Sequence, residues 1–420
     1  MRKLNGAVTD GWNFFAGNDP FDLAERFGLP LYVYNENIIR ERCREMVSLV
    51  SYRPFYVNYS AKANSNLAFL RIVRGEGLRV DAMSPGEIVF ELAAGFAPED
   101  IFYVCNNVSA EEMRFAVDKG VTVSVDSLSQ LETYGRVNPG GRVAARFNPG
   151  LGLGHNAKVV TGGKDTKFGI NPEYIPRLLK ILKEYSLTLV GINQHMGSLF
   201  MDGAKYAQGA EYLLALADRL PPLEFIDIGG GFGIPYHKQD GEVRLDLAEL
   251  GETLDALFTR FSERYGGQTA FCVEPGRYIS AESGVLLGGV YSAKRNGATR
   301  YIGTDLGFNV LARPIMYDSY HGVEVYTRRG GASGGTEPVT IVGDICESGD
   351  IIAKNRDLPR IEPGDLLGVL DAGAYGFVMS SNYNNRPRPA EVMIGSDGAA
   401  RLTRRRDTFE DMLRPYTNSI

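Results

Sequence analysis

The sequence predicts an α/β chain in which a (β/α)8 TIM barrel is followed by a second, mostly antiparallel β domain of sandwich or barrel type. Three observations lead there. Eight short β-rich runs alternate with amphipathic segments between about residues 55 and 277. Ionisable residues collect at the C-terminal ends of those runs. Beyond about residue 282 the rhythm changes to apolar–polar alternation broken by glycine-rich turns.

Taken in order, residues 1 to about 30 read as a polar lead and a helix, DPFDLAERFG, with Asp19 placed to cap it and Gly28 to end it. LYVYN follows as a strand-like run, then the charged helix NENIIRERCREMVSLV. The eight runs are FYVNYSA (55–61), LRVDAMS (78–84), IFYVC (101–105), VTVSVDS (121–127), RVAARFN (142–148), LTLVGINQHMG (187–197), LEFIDIGGG (223–231) and AFCVEPGR (270–277). Segments such as SNLAFLRIVRGEG and PEYIPRLLKILKEY lie between them with helical periodicity. A doubly wound sheet is the rival, but it expects a glycine fingerprint after its first strand, and none stands there. The expected domains are a barrel over 31–281 and a β domain from 1–30 plus 282–420.

Composition excludes several classes. Hydrophobic content of 44% and charged content of 23% are ordinary for a globular enzyme. A formal net charge of −6 points to neither nucleic acid nor an anionic membrane. Cys43, Cys105, Cys272 and Cys346 are far apart with no CxxC pair, which argues against a zinc site or a disulfide framework. The N-terminus lacks the apolar core of a signal peptide, and no apolar run approaches transmembrane length, so the cytoplasm is the expected location.

Active sites of such barrels lie at the C-terminal ends of the strands. The residues expected there are Lys62, Asp81, Asn106, Asp126, Arg146, His195, Gly229, Gly230, Gly231, Glu274 and Arg277. A lysine ending a buried strand has its pKa lowered and its amine freed, and a carbonyl cofactor such as pyridoxal phosphate accepts that amine as a Schiff base. On its own stretch, a packed stem with a solvated ammonium is the simpler reading of Lys62. Glycines 229–231 let backbone approach an anion, and phosphate sites recur after the last two barrel strands; the alternative is a tight turn. Glu274 is placed to keep a pyridine nitrogen protonated, or else to pair with Arg277. His195 offers a flat ring and Ser198 a phosphate donor; with no second ligand at metal spacing, a metal site is not expected. Cys346, between acidic residues in GDICESGD, suits a proton-donating thiol or a small buried hydrophobe. Arg313 and Tyr317 in ARPIMY, with Tyr375 in DAGAYG, are candidate contacts, Arg313 for a carboxylate. The segment 150–169, rich in glycine and lysine, reads as an active-site loop.

Together YSAKAN, HMGS, GGGFG, EPGR, CESGD, DAGAYG and NNRPRPAEV, in that order from about residue 30 to 393, resemble the fold-type III pyridoxal-phosphate decarboxylases, most of all the diaminopimelate decarboxylases. The resemblance implies a homodimer with active sites at the subunit interface, a small amino-acid substrate, and neither nucleic acid nor membrane as partner. It implies that Lys62 holds the cofactor, His195 stacks on its ring and Glu274 pairs with its nitrogen. Gly229, Gly230, Gly231, Gly276 and Arg277 would bind the phosphate, with Ser198 nearby. Cys346 and Glu347 would reach in from the partner subunit as proton donor and substrate contact. Arg313, Tyr317 and Tyr375 would hold the substrate, with Arg277 beside them, and Tyr375 would also contact the cofactor.

Two departures stand out: TDLGFNVLARP where the family more often has an AGMNDLIRP-like string, and HMGSLF for an HIGSQ-like one. The implied reaction converts meso-2,6-diaminopimelate to L-lysine and CO2. Relatives acting on ornithine, arginine, carboxynorspermidine or siderophore-type amino acids are the nearest alternative. A pyridoxal-phosphate racemase, which needs a tyrosine base, and a non-catalytic cofactor-binding barrel, which lacks a second β domain, are more distant ones.

Overall fold

The computed structural model describes residues 2–3, 8–148, 150, 153–154, 166–265, 269–328 and 335–416. Most of the loop expected at 150–169, and most of the glycine-rich turn at 329–335, lie outside the described residues. The chain divides into two compact units, one of Arg40–Ile234 with Arg244–Ile279 and one of Met1–Ile39, Pro235–Val243 and Ser280–Ile420.

The first unit is the barrel. Its strands are β1 (Phe55–Ser60), β2 (Arg79–Ala82), β3 (Ile101–Val104), β4 (Thr122–Val125), β5 (Arg142–Arg146), β6 (Thr188–Asn193), β7 (Phe225–Gly230) and β8 (Ala270–Glu274). All pair in parallel and in chain order, and β8 closes on β1.

The chain turns from strand to helix on capping residues. Asn66 accepts from the N–H groups of Ala68 and Phe69, Ser84 from Glu87 and Ser127 from Gln130, while Ser109 and Glu112 form a reciprocal capping box. Each such cap contributes about 1 kcal/mol and fixes where the strand stops. The sheet-to-helix core is apolar: the Phe258 ring lies flat on Phe271, with centroids 4.0 Å apart, and Tyr52 meets Phe271 edge-on.

The barrel interior is partly polar. Asn58 on β1 donates to Asp227 on β7 at 2.8 Å, and Ser124 on β4 donates to Asn193 on β6 at 2.6 Å. Each bond spans two strand positions and so crosses the interior. Polar groups at such depth are stable only when paired.

The second unit is built on a ten-stranded, mostly antiparallel sheet. Its spine is the 13-residue strand Gly284–Asn296, which pairs antiparallel with Leu31–Asn35, Leu366–Val369 and Thr299–Thr304. Two pairings are parallel, Thr299–Thr304 with Thr336–Val342 and Leu31–Asn35 with Ala390–Ile394. Leu31–Asn35 therefore lies in the sheet unit, although the barrel was expected to start at 31. Every residue of LYVYN is buried: strands flank it on both edges, and Leu31 and Val33 enter a core with Val285, Leu287 and Val392. The segment Pro235–Val243, expected inside the barrel, also belongs here. One strand, Ile351–Pro359, carries no clear signal in the sequence. Its centre, KNRD, is exposed or half-buried, and only its ends are apolar and buried. No helix among the described residues is long and apolar enough to cross a membrane.

Candidate active site

Lys62 follows β1 directly, half-buried in the single turn Ala61–Ala63. Its neighbours Ala61 and Ala63 are buried, and small side chains there let a second turn pack on top. That turn is EPGR. A Cβ on Gly276 would sit 3.0 Å from Ser60 Cβ and 3.1 Å from Ala63 Cβ, so only glycine fits without a shift. Tyr59 Oη donates to the carbonyl of Asn64 at 3.0 Å, and Asn64 Oδ1 accepts from the N–H of Asn66 at 3.0 Å. The motif YSAKANSN is thus a braced turn presenting one amine.

Around that amine stand buried acids. Asp81 on β2 accepts from Ser60 Oγ at 2.7 Å, while its Oδ1 has no partner among the described residues. Burial, then the Glu274 carboxylate, raises its pKa well above the usual range, against the opposing charge of Lys62. Glu274, 3% exposed at the end of β8, has no hydrogen-bond partner for Oε1 among the described residues. Burial and the neighbouring Asp227 push its pKa up, and Lys62 and Arg146 pull it down. A buried carboxylate oxygen without a donor is costly. A protonated ring nitrogen supplies both the missing donor and the missing charge, so Glu274 fits the pyridoxal ring. Further back, Glu91 on the helix Pro85–Ala94 is fully buried, with both oxygens unpartnered among the described residues. Burial, then Asp81 and Glu87, pushes its pKa from 4.5 up to about 9.

His195 lies just beyond β6. Desolvation, then the charges of Lys62 and Arg146, holds its pKa well below the ordinary 6.5, so the ring is neutral at pH 7. The N–H of Gly230 donates to its Nδ1 at 3.2 Å, which leaves the ring proton on Nε2. Arg277, 4% exposed, donates from Nη2 to Ser198 Oγ at 2.9 Å.

The three glycines are demanded by the fold itself. Gly229 and Gly231 have φ of +89° and +106°, and a Cβ on Gly230 would lie 1.9 Å from the Glu274 carbonyl oxygen. The N–H of Gly229 donates to Asp227 Oδ1 at 2.8 Å and that of Gly230 to His195. These two amides are committed within the chain. Asp227, which sequence reasoning passed over, ties this turn to β1 through Asn58; the signal was an acid inside an otherwise apolar strand just before the glycines.

Asn106 and Asp126, just beyond β3 and β4, belong to the barrel unit, whereas Arg313, Tyr317, Tyr375, Cys346 and Glu347 belong to the sheet unit. Arg313 opens the helix Arg313–Tyr317 and is 2% exposed. It donates from Nε to His321 Nε2 at 3.2 Å, and from Nη2 to Tyr236 Oη and Ser319 Oγ, both at 3.3 Å. Tyr375 is half-buried, with the Arg313 guanidinium carbon 6.0 Å from its ring centroid. Its φ of +54° is unusual for a bulky residue and costs about 1–3 kcal/mol, a strain that collects at functional sites. Tyr317 is half-buried on the same short helix as Arg313.

Cys346 and Glu347 are exposed, so Cys346 is no buried hydrophobe; the other three cysteines are buried. The N–H of Cys346 donates to Asn384 Oδ1 at 2.9 Å, and Glu347 accepts from Tyr383 Oη at 2.8 Å. Asp350 fixes the turn by accepting from the N–H groups of Ile345 and Phe308, both at 2.8 Å. The departing string TDLGFNVLARP serves packing: Leu306, Val310 and Leu311 are buried, and Phe308 stacks on Tyr383.

The sequence profile described as "Pyridoxal-dependent decarboxylase, pyridoxal binding domain" matches residues 36–281. The chain is 42% identical to the diaminopimelate decarboxylase of Methanothermobacter thermautotrophicus, over 96% of this chain and 95% of that one. It is 36% identical to the Escherichia coli K12 diaminopimelate decarboxylase, over 93% and 94% of the two chains. Among solved structures, diaminopimelate decarboxylase from Helicobacter pylori complexed with L-lysine superposes with a TM-score of 0.86 at 29% identity, covering 94% of this chain and 99% of that one.

Proposed function

We infer the reaction from the premise that the chain belongs to the pyridoxal-dependent decarboxylases, in their diaminopimelate decarboxylase branch: it converts meso-2,6-diaminopimelate to L-lysine and CO2. The observation that carries the reading is the meeting of Lys62 with Glu274 in one barrel mouth. The lysine is set on a braced turn, and the acid has a buried oxygen in need of a donor. Bound pyridoxal phosphate supplies an electron sink for the pair left behind when CO2 departs.

The chain's own residues do the rest. Lys62 would hold the cofactor through its amine. Glu274 would accept a hydrogen bond from the protonated ring nitrogen and so hold the proton on that nitrogen. The neutral His195 ring would stack on the cofactor without adding a third positive charge to Lys62 and Arg146. Ser198, Arg277, Gly276 and the glycine turn hold the phosphate, with Arg277 also close to the substrate. Arg313 pairs with the distal carboxylate, and Tyr317 and Tyr375 border the distal end. The C–C bond to the departing carboxylate breaks, and the Cys346 thiol then gives its proton to the carbon left behind; solvent restores the thiol. Cys346 and Glu347 serve the site of a second copy, consistent with their exposure on a turn braced by Asp350. The working form is therefore a homodimer, and its place is the cytoplasm.

The test is to supply the protein and pyridoxal phosphate with meso-diaminopimelate, ornithine, arginine and carboxynorspermidine separately, and to measure CO2 and the amine product. Release from diaminopimelate alone, with L-lysine formed in equal amount, is expected. Release from another amine instead would overturn the substrate and leave the decarboxylation.

A further inference from the structure

The best-defined side-chain cluster outside the barrel surrounds Arg313. His321 is 1% exposed, and its Nδ1 lies 2.8 Å from the carbonyl oxygen of Leu370. A carbonyl cannot donate, so Nδ1 carries the proton and Nε2 presents a bare lone pair. That lone pair receives the Nε–H of Arg313 at 3.2 Å. Nη2 of the same guanidinium donates to Tyr236 Oη and Ser319 Oγ, both at 3.3 Å. The Tyr236 ring meets His321 edge-on, with centroids 5.5 Å apart. The edge formed by Nε and Nη2 is thus held by the chain, and a planar guanidinium held along one edge has its plane and direction fixed. A neutral histidine in this tautomer also orients the cation without competing for the anion, which a carboxylate partner would do.

We propose that His321, locked as its Nδ1–H tautomer by Leu370, is the positioning residue that aims Arg313 at the distal carboxylate of the substrate, and so sets the preference for amines bearing that carboxylate. This rests on the reading of Arg313 as the carboxylate grip. Tyr236 and Ser319 fix the guanidinium plane, and His321 its direction. Neither His321 nor Tyr236 carries a signal in the sequence: each stands singly in a loop, and only the fold brings them to Arg313.

The experiment compares two ligands on the holoenzyme, L-lysine and 1,5-diaminopentane, which differ by that one carboxylate. His321→Leu keeps the volume and removes the acceptor; His321→Gln restores an acceptor and a donor. His321→Leu is expected to weaken L-lysine about tenfold or more while leaving 1,5-diaminopentane within about twofold, and His321→Gln to recover most of the loss. Equal weakening of both ligands, or of neither, overturns the proposal. Arg313→Lys separates the two levels of the argument. If it does not weaken L-lysine selectively, Arg313 is not the grip and the underlying reading fails. If it does while His321→Leu does not, only the role of His321 fails. Should His321→Leu not fold, the nitrogen NMR signals of His321 in the unaltered protein decide. Protonated Nδ1 with bare Nε2, kept when L-lysine saturates the site, is the expected result; a proton on Nε2 refutes it.

Discussion

Replacing Glu91 with glutamine should make the protein more stable, by an amount that grows with pH. The carboxyl is fully buried with neither oxygen partnered among the described residues, and its pKa stands at about 9 against an ordinary 4.5. Between those values the folded chain keeps a proton that the unfolded chain releases. The unfolded state then binds fewer protons, so stability present below pH 4.5 is lost as pH rises toward 9. The slope is about 1.4 kcal/mol per pH unit. Glutamine has nearly the shape of the protonated acid and does not ionise, so Glu91→Gln abolishes that slope and little else. For a domain of the barrel's size the difference amounts to roughly 3–5 °C of Tm per pH unit. Thermal unfolding of both proteins from pH 5 to 8 is the assay: the curves should nearly meet at pH 5 and diverge steadily above it. Parallel curves would show that Glu91 ionises alike in both states. A gap that narrowed with pH would reverse the sign and refute the reasoning.

Two further predictions concern the site. Glu274→Gln removes the charge offered to the ring nitrogen, and a lost charge-assisted hydrogen bond of about 1.5–3 kcal/mol corresponds to a fall in kcat of roughly 10- to 150-fold. Steady-state kinetics on the cofactor-saturated variant measure it, and an unchanged kcat would remove Glu274 from the mechanism. Cys346→Ala should lower kcat while leaving the dissociation constant of L-lysine within about threefold, because the thiol acts after CO2 has left. A change in binding with kcat intact would make Cys346 a contact and not a donor.

The barrel was legible because each of its strands is a compact β-rich run ending in polar residues, as FYVNYSAK and FIDIGGG illustrate, with a helix-capping residue soon after. The strand Ile351–Pro359 was not, because KNRD at its centre faces outward and carries no β signal. Placement of LYVYN was beyond periodicity too: a fully buried strand looks the same in a barrel or a sheet until its partners are known. At the site, Lys62, His195 and Glu274 were readable as ionisable residues at strand ends. Their electrostatics were not, since the raised pKa of Glu274 depends on its burial in the fold and then on Asp227 from the neighbouring strand. The clasp on Arg313 joins residues 236, 319 and 321, and hydrogen bonds between such separated positions leave no local pattern.

The most direct test is to reduce the holoenzyme with borohydride, which fixes any carbon–nitrogen double bond between cofactor and lysine, and to map the modified peptide by mass spectrometry. The account predicts one pyridoxyl group per chain, on Lys62, with loss of CO2 release in the reduced protein and in Lys62→Ala. A label on another lysine, or CO2 release from diaminopimelate that survives Lys62→Ala undiminished, would contradict it.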